Sequence, residues 1–322
     1  MVLSMLFIWI LVFIVSLIVL LKSSDYFTGA AEKIGLKLGI PGFIVGVTIV
    51  AVGTSLPELI SSFFAVSGGV SEMVIGNVLG SNIANILLIL GIVAIFAKKI
   101  ETDYEISKVD LPIFFASALF ILLVAYDGVI NIWEGIIGIL GLITYFAFAG
   151  VYAKKSNSTQ KKEVGKEKKE LEKEGLFMQF LIILISGFFI FLGAKYTVGS
   201  VVQISSILNI AKELIAISAV AIGTSLPELV VGIQAVKKGN VGMAFGNVLG
   251  SNIFNSFGVL GISALFGTLI VPQTLITFSL PFLIGVSLLY YFTIQDKQLT
   301  IWEGIIFILA YILYIGKVFG LF

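Results

Sequence analysis

The chain of 322 residues contains no cysteine, no histidine and no arginine. Without cysteine there is no disulfide and no thiolate. Without histidine there is no imidazole metal site and no Ser-His or Cys-His nucleophile pair. The missing cysteines also leave the redox compartment unread. A bound metal would have to be held by oxygen, which selects hard cations such as Na⁺, Ca²⁺ or Mg²⁺. Charge is scarce too. Charged residues make up 12% of the chain, against about 25% in soluble domains. The net charge of +1 says nothing about partners. What abounds is apolar surface: 58% of residues are hydrophobic and the mean hydropathy is +1.11. These values describe a polytopic membrane protein, whose helices must satisfy their own backbone in lipid.

Apolar stretches of spanning length fall at about 3–30, 40–67, 73–97, 108–126 and 130–153, and again at about 176–203, 210–236, 241–268, 272–293 and 299–320. That is five plus five. Between the two sets lies 154–175, rich in lysine and glutamate with no apolar face. It reads as a solvated loop. The N-terminus has no basic n-region, and its apolar run from Met5 to Leu21 is longer than a usual signal core. The expectation is a retained first helix.

The two sets are copies. Gly53-Thr54-Ser55-Leu56-Pro57-Glu58-Leu59 returns as Gly223-Thr224-Ser225-Leu226-Pro227-Glu228-Leu229. Gly76-Asn77-Val78-Leu79-Gly80-Ser81-Asn82-Ile83 returns as Gly246-Asn247-Val248-Leu249-Gly250-Ser251-Asn252-Ile253, at the same offset of 170. Aligned without gaps, 47–91 and 217–261 match at 24 of 45 positions. Ile132-Trp133-Glu134-Gly135 returns as Ile301-Trp302-Glu303-Gly304 at offset 169. The expected domains are therefore a first repeat at 1–153, the charged loop at 154–175 and a second repeat at 176–322. An odd helix number per repeat forces the copies into opposite orientations, the inverted plan of secondary transporters. The expected fold is all-α: ten transmembrane helices as two inverted five-helix repeats. Lysine placement tests this independently. With both termini outside, seventeen of the twenty lysines fall inside and three outside, namely Lys195, Lys212 and Lys317. That division obeys the positive-inside rule and makes the central loop cytoplasmic. The expected location is the plasma membrane.

Each copy places one glutamate in an apolar stretch, Glu58 and Glu228. A carboxylate inside a bilayer is costly and marks function by default. A structural glutamate would want a lysine partner, and the one lysine in these segments, Lys212, lies sixteen residues before Glu228. Pro57 removes a backbone donor and crowds the carbonyl four residues back, so the helix should kink or open near Ala51 to Thr54. Carbonyls exposed by such breaks bind cations. Thr54 and Ser55 share a helix face with Glu58, and Thr224 and Ser225 with Glu228. In the next helix Asn77, Ser81 and Asn85 recur every four residues, with Asn247, Ser251 and Asn255 as twins. Small faces beside them, Gly76-Gly80-Ala84 and Gly246-Gly250, allow close approach. The sum is an all-oxygen cage with two formal negative charges. One Ca²⁺ neutralises it; at least two Na⁺ are needed to do the same. Taken singly, Ser, Thr and Asn read as interhelical glue. Glu134 and Glu303 read as interfacial residues at helix starts. Asp25 is matched by Lys195 and so belongs to no symmetric site.

These paired motifs resemble the cation/calcium exchanger superfamily, and most closely its prokaryotic sodium/calcium branch. The resemblance covers essentially the whole chain. It implies ion sites between the second, third, seventh and eighth helices, with the first and sixth helices as a sliding gate. It also implies that Glu58 and Glu228 are the central calcium ligands. Thr54 and Thr224 would then lend oxygens, and Ser55, Ser225, Ser81, Ser251 and the carbonyls of Ala51 and Ala221 would serve sodium. Asn85 matches a polar position of the family. Asn255 stands where some relatives, including potassium-dependent ones, carry Asp, which argues against potassium co-transport. The expected function is Na⁺/Ca²⁺ antiport by alternating access, and the runner-up is H⁺/Ca²⁺ antiport on the same fold. Against protons stand the hydroxyl-rich cage and the absence of the Gly-Asn-x-x-Glu arrangement typical of proton/calcium exchangers. A passive channel fits a single symmetric buried site less well. An intramembrane enzyme is not expected: a serine protease would lack its His, a metalloprotease its ligands and an aspartyl protease its paired Asp. The expected partners are small inorganic cations and the bilayer. No cofactor and no nucleic acid is expected, and no protein partner is read.

Overall fold

A computed structural model describes residues 2–37, 46–97, 99–101, 110–156, 176–237, 241–294 and 298–321. Helix α1 is Val2–Lys37. α2 comes in two halves: a π turn at Gly46–Val50 continued by Ala51–Thr54, then Leu56–Ser67. α3 spans Glu72–Ala97 with a π turn at Asn85–Ile89. α4 is Asp110–Ala125 and α5 is Ile132–Ser156. α6 is Leu176–Leu208. α7 spans Lys212–Lys237, with a π turn at Ala216–Val220 and a break at Ser225. α8 covers 241–266, including a π turn at Phe254–Val259. α9 opens as a π turn at Leu275–Ser279 and continues through Leu280–Ile294, and α10 is Ile301–Val318. Among the described residues eight helices are long and apolar enough to cross a membrane, nine if the halves of α2 form one bent span. α4 is a shorter apolar helix.

Burial sorts these helices into an axis and a rim. In α3 and α8, 83% of the spanning window is buried, against 11% in α1 and 22% in α6. The sequence explains the axis. A Cβ added at Gly76 would lie 2.8 Å from the Glu213 carbonyl oxygen, and one at Gly80 would collide with Ile217 and Ala221. Only glycine lets α3 approach α7 this closely, as the small-residue face leads one to expect. Two further glycine contacts are images of each other. Gly91 of α3 meets Gly304 of α10, and Gly261 of α8 meets Gly135 of α5. Gly91 and Gly261 are 170 apart, and Gly135 and Gly304 are 169 apart.

Several expectations shift. α2 does kink near Ala51 to Thr54, and the structure refines the place. Its π turn lies before that window and its break one residue after it, at Ser55, with φ −89° and ψ 7°. The two halves meet at 46°. Pro57 sits in the first turn of the second half, where its missing N–H costs nothing. Restarting the helix there is cheaper than tearing it open four residues upstream. Ser225 repeats the geometry at φ −85° and ψ 3°. α1 continues to Lys37, past the expected end near residue 30. α5 continues to Ser156, past the expected boundary at 153. The rest of the charged loop, 157–175, lies outside the described residues.

The all-helical expectation omits two short strand pairs. β1 (Lys99–Glu101) runs antiparallel to β4 (Gln298–Thr300), and β2 (Val129–Ile130) to β3 (Leu269–Ile270). β3 is the counterpart of β1 at offset 170, and β4 that of β2 at offset 169. Each pair thus ties the first half of the chain to the second. Strands of two or three residues leave no alternating pattern to read.

Candidate functional site

Both glutamates lie in the first turn of a half-helix, Glu58 after the Ser55 break and Glu228 after the Ser225 break. Free N–H groups and the positive end of the dipole face a carboxylate there. Glu58 and Glu228 are both fully buried.

The two motifs are interlocked. Ser55 Oγ donates to Glu228 Oε1 at 3.2 Å, and Ser225 Oγ donates to Glu58 Oε1 at 3.4 Å. Each serine therefore serves the glutamate of the other copy. The threonines cross over as well. Thr54 Oγ1 lies 3.2 Å from Asn247 Oδ1 and 3.3 Å from Ser251 Oγ. Thr224 Oγ1 lies 3.4 Å from Asn77 Oδ1. Ser81 Oγ donates to Glu58 Oε1 at 3.3 Å, and Asn247 Nδ2 donates to the Glu228 carbonyl at 3.4 Å. Glu58, Glu228, Thr54, Thr224, Ser55, Ser225, Ser81 and Ser251 are thus brought together in one buried cluster.

The alanine carbonyls enter the cluster already engaged. Ala51 O accepts from Ser55 N at 3.1 Å and lies 3.2 Å from Thr54 Oγ1. Ala221 O accepts from Ser225 N at 3.0 Å and lies 3.4 Å from Thr224 Oγ1. A hydroxyl has one proton and rotates to place it. If Thr54 turns its proton to Asn247 and Thr224 to Asn77, the alanine carbonyls are left open to a cation.

Asn85 and Asn255 are buried where α3 meets α8, but neither side chain hydrogen-bonds a carboxylate. Asn85 Nδ2 lies 3.4 Å from Asn252 Oδ1, while both amide atoms of Asn255 lack a hydrogen-bond partner. Asn82 Nδ2 donates to Ser256 Oγ at 2.9 Å. Ser256 has Ile86 at the equivalent place, so Asn252 has no matching hydroxyl and its Nδ2 stays unpartnered. Here the copies differ.

The stripe reading names Asn77 and Asn247 only as a polar face, yet they meet the threonines. Ser24 of α1 went unread. Its Oγ donates at 2.9 Å to Gly53 O, the carbonyl that Pro57 cannot serve. Ala194 stands at the equivalent position of α6. No periodic or motif signal marks Ser24, because its partner lies on another helix.

One carboxylate oxygen of each glutamate, Oε2, is buried without a hydrogen-bond partner. Such atoms are rare in folded proteins and call for an occupant. Among the described residues no group of three acidic, histidine or cysteine side chains could hold a metal. The available donors are two carboxylates plus neutral hydroxyl, amide and backbone oxygens, the set that suits Na⁺ and Ca²⁺. One turn beyond Glu58, Ser61, Ser62 and Asn77 line a cavity of about 10 Å³, and the two serine hydroxyls lack partners. Glu134 and Glu303 do structural work instead. Asn131 N donates to Glu134 Oε2 at 2.8 Å, and Glu134 N to Asn131 Oδ1 at 3.3 Å. Thr300 and Glu303 form the same reciprocal cap on α10. Both glutamates therefore close capping boxes.

Known proteins resemble this chain in sequence and in fold. The sequence pattern of the sodium/calcium exchanger protein family matches residues 8–151 and again 178–320. The sodium/calcium exchanger MaX1 of Methanosarcina acetivorans is 33% identical, over 96% of this chain and 98% of its own length. The inner membrane protein YrbG of Escherichia coli is 33% identical over 78% of each chain. Among solved structures, the sodium-calcium exchanger NCX_Mj, soaked with Na⁺ and Sr²⁺, superposes with a TM-score of 0.70 at 29% identity. That match covers 97% of this chain and 99% of the other. With the family pattern matched twice over most of its length and two interlocked motifs at its centre, the chain belongs to the sodium/calcium exchanger family.

Proposed function

We infer that this protein is a secondary antiporter that exchanges Na⁺ for Ca²⁺ across a membrane by alternating access. The observation that carries the reading is the pair of fully buried glutamates, each bonded by the other motif's serine and each with one free oxygen. In the architecture that goes with it, ten helices form two inverted repeats, 1–153 and 176–322, joined by a cytoplasmic loop at 154–175. Both termini lie outside the plasma membrane. The lysine asymmetry supports that placement, and the mirrored strand pairs support the repeat.

Calcium bridges Glu58 and Glu228 at oxygen distances of about 2.3–2.6 Å, with oxygens near Thr54 and Thr224 completing its shell. Sodium takes positions around that centre, on Ser55, Ser225, Ser81, Ser251 and the Ala51 and Ala221 carbonyls, with Asn85 and Asn255 at the margin. The two loads share the same carboxylates, so they cannot both bind in full. Each ion shifts the inward-outward equilibrium only through its differential affinity, and this exclusion couples their movements. The chain is a transporter and not an enzyme. Its substrates are the inorganic cations themselves, with no cofactor in the cycle.

Radioactive calcium uptake into proteoliposomes tests the reading. An outward-directed sodium gradient drives calcium in, with potassium absent on both sides. Uptake that requires potassium, or that follows a proton gradient alone, overturns it.

A further inference from the structure

Two apolar grooves run along the crossing of α1 and α6, the two rim helices. One, of about 390 Å³, is lined by Val19, Lys22, Ser23, Tyr26 and, from α6, Ile182, Ile185, Ser186 and Phe189. The other, of about 410 Å³, is lined by Leu11, Val12, Val15, Ser16, Val19 and, from α6, Phe189, Leu192, Gly193 and Tyr196. Applying the repeat offset of 170 to the first lining returns the second, with Leu11 added. The grooves are therefore images of each other, set toward opposite ends of the helix pair. Tyr26 and Tyr196, both exposed, mark the two ends. The images differ in one charge: Lys22 lines the first groove, and Leu192 stands in its place in the second.

We propose that the Lys22 groove binds an anionic phospholipid, its acyl chain along the α1–α6 crossing and its phosphate on Lys22. The groove is open and apolar on helices whose outer faces are bare, so the bilayer must fill it. Lys22 is exposed and, among the described residues, forms no salt bridge. Its nearest carboxylate along the helix, Asp25 one turn on, attracts it from outside the groove lining and makes no salt bridge with it. A lysine on a membrane helix directs its ammonium to the headgroup level. Tyrosine is favoured at that same level. The choice of an anionic lipid follows from charge, and the second groove is a built-in control. It offers equal volume without that cation, and Lys195, one turn beyond Leu192, does not line it. The inference rests on the membrane placement proposed above and not on which ions are carried.

Native mass spectrometry of the purified full chain, with equal phosphatidylglycerol and phosphatidylcholine, tests it. The unaltered chain retains about fivefold more phosphatidylglycerol, the factor expected of one lysine beside a headgroup. Lys22→Leu, which copies the natural residue of the other groove, brings the ratio to about one. Lys195→Leu leaves the preference intact, and Leu192→Lys adds a second tightly held phosphatidylglycerol. The proposal is overturned by equal retention of the two lipids, by a preference that survives Lys22→Leu or follows Lys195, or by no gain with Leu192→Lys. No ion is transported in this measurement, so its failure leaves the exchange reading standing.

Discussion

A single residue type separates the centre of this protein from its periphery. Four glutamates, Glu58, Glu228, Glu134 and Glu303, occupy first turns of helices in two repeated contexts. Only the first two are fully buried with an oxygen left over. Glu58→Gln or Glu228→Gln keeps the shape and removes one of two charges that a divalent ion must find. We expect calcium exchange to fall by more than about 100-fold, beyond the about 10–100-fold typical of outer partners. The protein should still purify as a folded, monodisperse species. Near-normal calcium flux in either variant refutes the assignment. Glu303→Gln is the contrast, because glutamine also completes a capping box; flux and melting temperature should both stay close to those of the unaltered chain. The glutamates were legible because lipid makes each charge conspicuous. Asn77, Asn247 and Ser24 were harder to place because neutral polar residues are also common glue. Their partners, Thr224, Thr54 and Gly53, lie on other helices, and a sequence does not display helix crossings.

At the level of elements, the broken helices α2 and α7 create the site by presenting a helix start to each carboxylate. Pro57 and Pro227 announce the breaks, and the repeat announces their equivalence. The exact residue was not legible, because the rule that a proline disturbs the turn before it competes with the rule that it suits a first turn. At Ser55 and Ser225 the second rule won. The close crossings were legible as glycine faces, though which helix each face meets was not. Gly80 of α3 meets Ile217 and Ala221 on α7, the glutamate helix of the other half. Gly80→Leu should push α3 off α7, and overpacking of this kind costs about 1–3 kcal/mol. We expect a lower melting temperature and weakened calcium binding together, because the same crossing holds Asn77 against Thr224. A Gly80→Leu protein that melts and transports normally would show that the crossing is looser than its geometry implies. Thr300→Ala tests the opposite kind of element. It removes the cap of α10 at a cost of about 1 kcal/mol, visible in thermal melting, while calcium flux stays unchanged.

For the whole molecule, the remaining question is which face looks into the cell, and the orientation proposed above rests on charge. In that topology seventeen lysines fall on one side and three on the other, in keeping with lysine-rich segments staying cytoplasmic. In the inverted-repeat architecture proposed above, helix packing cannot make that choice, since each repeat would be the other inverted. The strand pairs fit that reading: β1 with β4 and β2 with β3 are the same device at two places. The absence of cysteine makes a direct test simple, since any introduced thiol is unique. Ser158 lies in the charged loop and, in the proposed orientation, reports on the cytoplasm. Gly69, in the turn between α2 and α3, is a poor partner for it, because its φ of +69° strains any residue with a Cβ. Asp127, exposed in the turn that leads into β2, is the better choice. In intact cells, Asp127→Cys should react with a membrane-impermeant maleimide and Ser158→Cys should not. After permeabilisation both should react. The reverse pattern would invert the protein in the membrane, move the Lys22 groove to the other leaflet and put the calcium exit on the wrong side, while leaving the paired glutamates where they are.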